Sequence, residues 1–338
     1  MSFTHLHLAS SYSFKYGTSA PDEIVARASE LNMNSIALTD RDTLAGAIKF
    51  ATSCQSNSIS PIIGIDLEYE NKSRITILAT PGNWGALVRL ITAVKKTGSA
   101  TQELLKANQQ YTKNLLALFG PNSEISRFIS MRKEDKALEL FTKTIDIFKS
   151  QGLECVSHLE KTGYKSTVHA ARMLGFARAN DFPAIITNAV RMKERGDAPI
   201  ADILDAARNL LPLHKNVVER KNAEAFLKSS KEMEQLADTI ARSAGDRDGR
   251  KLIKTTAEWA ESAQLSPIDD IGLGSIHLPE ASLSGAKNQL ELAQLLRRRT
   301  QSQISIRYNS AKSQVEALAR LDKELKIVNQ LGYESYFL

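Results

Sequence analysis

Short apolar runs rich in β-branched residues recur through the first part of the chain and predict β-strands. Seven runs have this composition, at residues 3–8, 35–39, 61–67, 74–79, 115–119, 153–157 and 184–187. The segments between them carry apolar residues at helical spacing, for example at residues 84–94. Alternating strands and helices predict parallel pairing, in a closed barrel or a doubly wound sheet. We favour the barrel because no glycine-rich phosphate loop follows the first run.

After Asn188 the pattern changes and predicts helices almost throughout. These helices are expected at residues 198–209, 223–227, 231–242 and 250–263, with two long helices near the end. Residues 266–284 are rich in Gly, Pro and Ser, which mark turns and linkers. We therefore place a domain boundary in this stretch, with a first domain at residues 1–275 and a second at residues 276–338.

The amino-acid composition and net charge limit which classes of protein this chain can belong to. With 42% hydrophobic and 24% charged residues, the chain resembles an ordinary globular protein and not a disordered or fibrous one. The net charge of +6 favours a polyanionic partner, although acidic proteins and membrane surfaces stay possible. Because there is no apolar run of about 20 residues and no secretory signal, we expect a cytoplasmic protein without a membrane span. Cys54 and Cys155 are expected to be buried thiols.

Polar side chains cluster at the ends of the predicted strands. His5 and His7 are two residues apart, so both imidazoles project from one face of an extended segment. Asp40, Asp66 and His158 lie at or just after the ends of other runs. Parallel barrels build their sites at these ends, and imidazole and carboxylate groups bind zinc, manganese or iron. The pattern indicates a metal site, although Asp also ends strands because it favours turns.

Several segments, in order along the chain, carry a family resemblance. FTHLHLASSYSFKYG, IALTDRDTLAGAIKF, PIIGIDLEYE, LECVSHLEKTG and PAIITNAVRMKERGDAPIADIL resemble the PHP (polymerase and histidinol phosphatase) domain of bacterial C-family DNA polymerase III alpha subunits. SPIDDIGLGSIHLPE and ARLDKELKIVNQLGYESYFL resemble the stretch that leads into the polymerase palm. TDRDTLAGAIKF and TNAVR are most similar to the error-prone branch of these polymerases.

The resemblance implies an α/β fold: a distorted, TIM-like barrel of seven strands, then a mostly helical segment that enters the polymerase thumb and palm. It also implies a metal cluster at the carboxyl ends of the strands. Matched position by position, four residues occupy ligand positions and a fifth, an aspartate, stands where glutamate is usual; these residues are His5, His7, Asp40, His158 and Asp66.

Three positions depart from the family pattern. Arg41 stands in place of a histidine, and Ala189 and Arg191 stand in place of an aspartate and a histidine. Neither arginine nor alanine has a lone pair to give a metal. We therefore expect Arg41 and Arg191 to form ion pairs with Asp40 and Asp66 in place of metals, so that the domain is a structural brace. One residual zinc or manganese ion, or a fully active phosphoesterase or 3′–5′ proofreading exonuclease, are the alternatives.

For the whole polypeptide the resemblance implies error-prone DNA synthesis in replication and repair. DNA and other replication or translesion proteins are the implied partners, with Mg²⁺ in the palm. Because the chain stops at YESYFL, before any palm-like segment, we expect a fragment or a truncated reading frame without polymerase activity of its own. A free-standing scaffold protein is the other possibility. Arg297, Arg298 and Arg299 are candidates for contacts with DNA phosphates, although such runs are more often solvated helix faces.

Overall fold

One sheet of six strands organises the first part of the protein, seen here in a computed structural model that describes residues 2–213 and 221–338. The order of strands in the sheet follows their order in the chain. The strands are β1 (Ser35–Arg41), β2 (Ser60–Tyr69), β3 (Ser73–Leu78), β4 (Leu116–Phe119), β5 (Ser150–Val156) and β6 (Ala184–Thr187). Six of the seven predicted runs are therefore confirmed as strands.

The pairing of β3 differs from the prediction. β1 pairs with β2, β4 with β5 and β5 with β6 in parallel, whereas β3 is antiparallel to both of its neighbours. Only Glu70–Lys72 separates β2 from β3. A parallel pair needs a crossover of a dozen or more residues, so this connection permits only a hairpin. The prediction of parallel pairing throughout was wrong for this reason.

The predicted first strand, at residues 3–8, is not a regular strand. Its backbone nonetheless bonds to β1, because the carbonyl oxygens of His5 and Leu8 accept from the amides of Ala37 and Thr39. On its other side Leu8 forms an isolated parallel bridge with Val190, just after β6. The amide of Leu8 donates to the Thr39 hydroxyl instead of to a backbone carbonyl, which interrupts the ladder. In place of the seventh strand of the expected barrel, the curled sheet has an irregular segment that is joined to it by a few hydrogen bonds.

Helices connect and cover the strands. They are α1 (Pro21–Glu30), α2 (Ala47–Ser56), α3 (Trp84–Thr97), α4 (Gln102–Ala107), α5 (Gln109–Thr112), α6 (Glu124–Ser130), α7 (Glu134–Ile145), α8 (Thr167–Ala179), α9 (Ala198–Asn209), α10 (Ser230–Ser243) and α11 (Arg250–Ala263). The predictions at 198–209 and 250–263 are confirmed. The helix predicted at 223–227 is wrong, because this short segment is extended and bonds through Ala225 and Leu227 to the backbone of Met192.

Both faces of the sheet are buried. On β4, Leu116 and Leu118 face one apolar cluster, whereas Ala117 and Phe119 face the other, as the two-residue period of a strand requires. The smaller cluster also contains Trp259 and other residues of α11. The free thiols Cys54 and Cys155 are both buried, as expected. A polar side chain within these strands is therefore buried and requires a hydrogen-bond or ion-pair partner.

The chain divides into two compact units, the first ending at Leu273 and the second comprising Gly274–Leu338. The second unit contains α12 (Gln289–Arg307), α13 (Ala311–Leu331) and α14 (Glu334–Phe337). The Asn288 side chain accepts from the Glu291 amide and so caps α12. Across residues 2–213 and 221–338, none of the helices has the length and apolarity that crossing a membrane requires.

Candidate functional site

Three buried ionisable side chains meet at the carboxyl end of the sheet. His7 Nδ1 lies 2.8 Å from Glu154 Oε1, and His7 Nε2 lies 3.8 Å from Asp66 Oδ2. The Asp66 and Glu154 side chains are only 3% and 1% exposed. Burial lowers the pKa of His7, but the charges and hydrogen bonds of Glu154 and Asp66 outweigh it and raise this pKa to about 10. His7 is therefore an imidazolium between two carboxylates.

Two arginines complete what we call the ion cluster, defined as His7, Arg41, Asp66, Arg74 and Glu154. Arg74 Nε donates to Asp66 Oδ2 at 2.9 Å, and Arg41 Nε lies 3.3 Å from the same oxygen. Burial raises the pKa of Asp66, but His7 and Arg74, together with Arg41, hold it well below its usual range. The expected pairing of Arg41 with Asp66 is present, and Arg74 adds a stronger contact.

Arg191 and Asp40 do not form the expected pair. The Arg191 guanidinium instead binds Asp205 through two hydrogen bonds of 2.9 and 3.0 Å and also donates to the carbonyl of Tyr16. Asp40 accepts hydrogen bonds from the amide and hydroxyl of Ser10 and from the hydroxyl of Ser13. Burial raises the pKa of Asp40 despite these bonds. Neutral donors thus satisfy Asp40, and the prediction for Arg191 was wrong because α9 supplies a closer carboxylate.

The two other histidines among the predicted ligands each bond to a backbone carbonyl. His5 Nε2 lies 2.9 Å from the carbonyl of Lys228, and His158 Nε2 lies 2.8 Å from that of Asn188. Burial lowers the pKa of both, to about 4 for His5 and well below the usual value for His158. Both are therefore neutral imidazoles held by backbone carbonyls. Of the five predicted ligands, the structure brings together only His7 and Asp66.

This donor set does not fit a metal ion. Both ring nitrogens of His7 face carboxylates, and an imidazolium has no lone pair. The void that touches His7, Asp66, Glu154 and Ala189 has a volume of about 10 Å³, roughly one water molecule. Within the two described stretches of chain, no three His, Cys, Asp or Glu side chains are placed to hold a metal together. The positive charge at these carboxylates comes from His7 and the arginines.

Outside the ion cluster lies a cavity of about 600 Å³, here called the basic pocket. It is lined by Tyr16, Arg41, Asn71, Lys72, Ser73, Arg74, Pro121, Asn122, Ser123, Arg127, His158, Glu160, Gly163, Tyr164, Lys165, Arg191, Lys221 and Ala225. Arg41 and Arg191 contact the ring of Tyr16, at 3.3 and 4.2 Å from its centroid. Burial raises the pKa of Tyr16, but the charges of Arg41, Lys165 and Arg191 outweigh it and lower this pKa to about 8.

The basic run of the second unit lies on α12. Arg297 pairs with Asp322 of α13 at 2.8 Å, and Arg299 donates to the carbonyl of Leu338 at 3.4 Å. All three of Arg297, Arg298 and Arg299 are exposed. Their contact with DNA stays a prediction.

The family model described as the PHP domain matches residues 5–158. The N-terminal part of the chain is a PHP domain. Beyond it, the similarity to curated proteins extends over the whole chain. An error-prone DNA polymerase of Symbiobacterium thermophilum is 28% identical over 100% of this chain and 31% of its own length. An error-prone DNA polymerase of Pseudomonas aeruginosa is 24% identical over 99% of this chain and 30% of its own.

DNA polymerase III subunit alpha of Buchnera aphidicola subsp. Acyrthosiphon pisum is 24% identical over 99% of this chain and 29% of its own length. The chain therefore spans about 30% of the length of the curated relatives it matches. Among solved structures, a putative metal-dependent phosphoesterase from Bifidobacterium adolescentis has 13% identity and a TM-score of 0.38, and covers 55% of this chain and 86% of its own. The resemblance predicted from the sequence is confirmed.

Sequence reasoning missed two residues of the PHP domain's ion cluster. Glu154 is the only charged residue of β5, and a lone carboxylate in a buried run was the signal for it. Arg74 reaches Asp66 because β2 and β3 form a hairpin, in which Glu68 is opposite Arg74 and Asp66 is opposite Thr76. The signal for Arg74 was the short connection between these two strands.

Proposed function

We propose that this chain is the N-terminal part of an error-prone DNA polymerase and that its PHP domain is a structural brace with a degenerate metal site. Similarity over nearly the whole chain to curated polymerases supports the first statement. The ion cluster supports the second, because His7, Arg41 and Arg74 neutralise the carboxylates Asp66 and Glu154 that would otherwise attract metal.

The chemistry of the cluster is consistent with bracing. It ties the segment before β1 to β2, β3 and β5 through charges that are almost fully buried. Removing one member of a buried pair leaves an uncompensated charge, which costs about 3–5 kcal/mol. Metal-dependent hydrolysis requires a Lewis acid that polarises the phosphoryl group and activates water. Guanidinium and imidazolium groups supply charge but no activated water.

For the whole polypeptide we propose error-prone DNA synthesis by nucleotidyl transfer in replication and repair. Mg²⁺ would act in the palm, and DNA and other replication or translesion proteins would be the partners, in the cytoplasm. The test of this part is the mass of the native polypeptide, detected with an antibody against this chain. A polypeptide about three times larger than the 37.3 kDa calculated for this chain is expected. A native mass near 37.3 kDa would instead favour the scaffold protein.

The brace is tested by metal content. The full chain is incubated with Zn²⁺ and Mn²⁺, loosely bound ions are removed, and bound metal is measured by plasma mass spectrometry beside a His5→Ala/His7→Ala variant. We expect less than a tenth of an ion per chain in both. Stoichiometric metal in the wild type that is lost from the variant, together with hydrolysis of a phosphodiester or of a DNA 3′ end, would establish the phosphoesterase or exonuclease instead.

A further inference from the structure

We infer that the basic pocket is a metal-independent binding site for a small anion that carries two or three phosphate groups. This goes beyond the brace, which requires no ligand. It concerns the lining of the pocket, where Lys72 and Lys165 add charge that the ion cluster does not use.

The lining has an excess of positive charge. Seven of its residues are Lys or Arg and one, Glu160, is acidic. Five of these cations have carboxylate partners: Asp66 pairs with Arg41 and Arg74, Glu124 with Arg127, Asp205 with Arg191, and Glu160 with Lys221. Lys72 and Lys165 make no ion pair with any of the residues described here. Among the described residues, two ammonium groups at one cavity are therefore left without a counter-charge.

At the bottom of the pocket, hydrogen-bond donors of arginine and lysine are accessible, whereas the carboxylate acceptors lie deeper. Arg41, Arg74 and Lys165 line both the basic pocket and the inner void, whereas Asp66 and Glu154 line only the void. An anion in the pocket would thus meet N–H groups before carboxylate oxygens. Guanidinium and ammonium groups arranged in this way match the oxygens of phosphate.

Size and shape favour a small ligand over a nucleic-acid strand. A volume of about 600 Å³ is within the range of small-molecule pockets, about 300–1,000 Å³. Proteins that bind single strands instead follow the backbone with a basic groove and stack the bases on aromatic rings. Here the unpaired charges converge on one cavity, with neutral donors at Asn71, Ser73 and Asn122. Two or three phosphates would neutralise this excess charge without metal.

The test is isothermal titration calorimetry of the full chain with sodium tripolyphosphate and with ATP, in buffer that contains EDTA. The Lys72→Ala/Lys165→Ala variant removes both unpaired ammonium groups and strips no described carboxylate of an ion-pair partner. Lys106→Ala/Lys149→Ala is the matched control, because it removes two exposed lysines outside the pocket. Lys72→Arg/Lys165→Arg preserves the charge. Thermal unfolding checks that each variant folds.

We expect the wild type, the control and the arginine variant to bind both ligands, and the Lys72→Ala/Lys165→Ala variant to bind at least tenfold more weakly. No binding by the wild type, or an equal loss in the control, would overturn the inference. So would tighter binding of a single-stranded oligonucleotide that tripolyphosphate does not displace. Binding only after Zn²⁺ or Mn²⁺ is added would contradict this inference and the brace together, whereas absence of anion binding alone leaves the brace intact.

Discussion

Asp66 is the residue on which the ion cluster depends, because three cations converge on its carboxylate. Arg74 and Arg41 approach one oxygen to 2.9 and 3.3 Å, and His7 approaches it to 3.8 Å. The other oxygen, Oδ1, is buried and accepts no hydrogen bond from the described residues. Asp66 is therefore compensated by charge and not by a full set of hydrogen bonds. Its neutralisation would remove the one carboxylate that these three cations share.

We predict that Asp66→Asn lowers the free energy of unfolding by about 3 kcal/mol, the lower end of the cost of breaking a buried ion pair, because Glu154 still faces His7 and Asp42 still faces Arg74. Glu68→Gln is the matched control: Glu68 is on the same strand and lies 3.7 Å from the same arginine, but its side chain is 59% exposed. Exposed pairs contribute about 0–1 kcal/mol, so this variant should change little. Urea unfolding followed by circular dichroism measures both. Equal effects of the two substitutions would contradict the role of the cluster.

At the scale of elements, the end of β4 can approach β5 closely because Gly120 has no side chain. A Cβ atom on Gly120, directly after β4, would lie 1.8 Å from Glu154 Oε2. Glu154 has no room to move, because Oε1 is held by His7 Nδ1 and by the Thr187 hydroxyl. Glycine at this position is thus required by the close approach of β4 to the buried carboxylate of β5.

We predict that Gly120→Ala destabilises the protein by at least about 2 kcal/mol, since overpacking at a buried site costs about 1–3 kcal/mol or more. Gly175→Ala is the control within α8, where an added Cβ meets no atom within 4 Å. Alanine there should stabilise the helix by about 0.5–1 kcal/mol. Differential scanning calorimetry compares the two variants. A melting temperature for Gly120→Ala equal to that of the wild type would refute the proposed packing.

Elements were easier to predict from this sequence than the contacts between them. Six strands and helices such as α9 and α11 follow from apolar periodicity, which is a local property. The direction of β3 depends on a three-residue connection, and the irregular segment at residues 3–8 depends on the Thr39 hydroxyl of another strand. Likewise Arg74 and Glu154 join the site only through cross-strand contacts, which no periodicity encodes. The local sequence pattern therefore predicts helices and strands, whereas the pairing of strands decides which side chains meet in the ion cluster.

At the scale of the whole molecule, buried neutral histidines couple folding to pH. His169 in α8 bonds to the Ser126 hydroxyl of α6 at 2.7 Å, and burial lowers its pKa from 6.5 to about 4. His5 has a similar value for the same reason, and the pKa of His158 is also lowered. Below pH 6.5 these histidines become protonated in the unfolded chain but stay neutral in the folded protein. Stability contributed by neutral histidines is therefore complete above pH 6.5 and is lost as the pH falls toward 4.

We predict that His169→Gln removes part of this acid sensitivity, because glutamine offers hydrogen bonds to Ser126 but does not titrate. A pKa change from 6.5 to about 4 corresponds to at most about 3 kcal/mol of stability lost on acidification. Urea unfolding at a series of pH values between 7 and 4 should therefore give a shallower fall in unfolding free energy for the variant than for the wild type. Parallel curves over this range would show that protonation of His169 is not coupled to unfolding. His7, whose pKa is raised to about 10, acts in the opposite sense: its stabilisation is present below pH 6.5 and is lost as the pH rises toward 10.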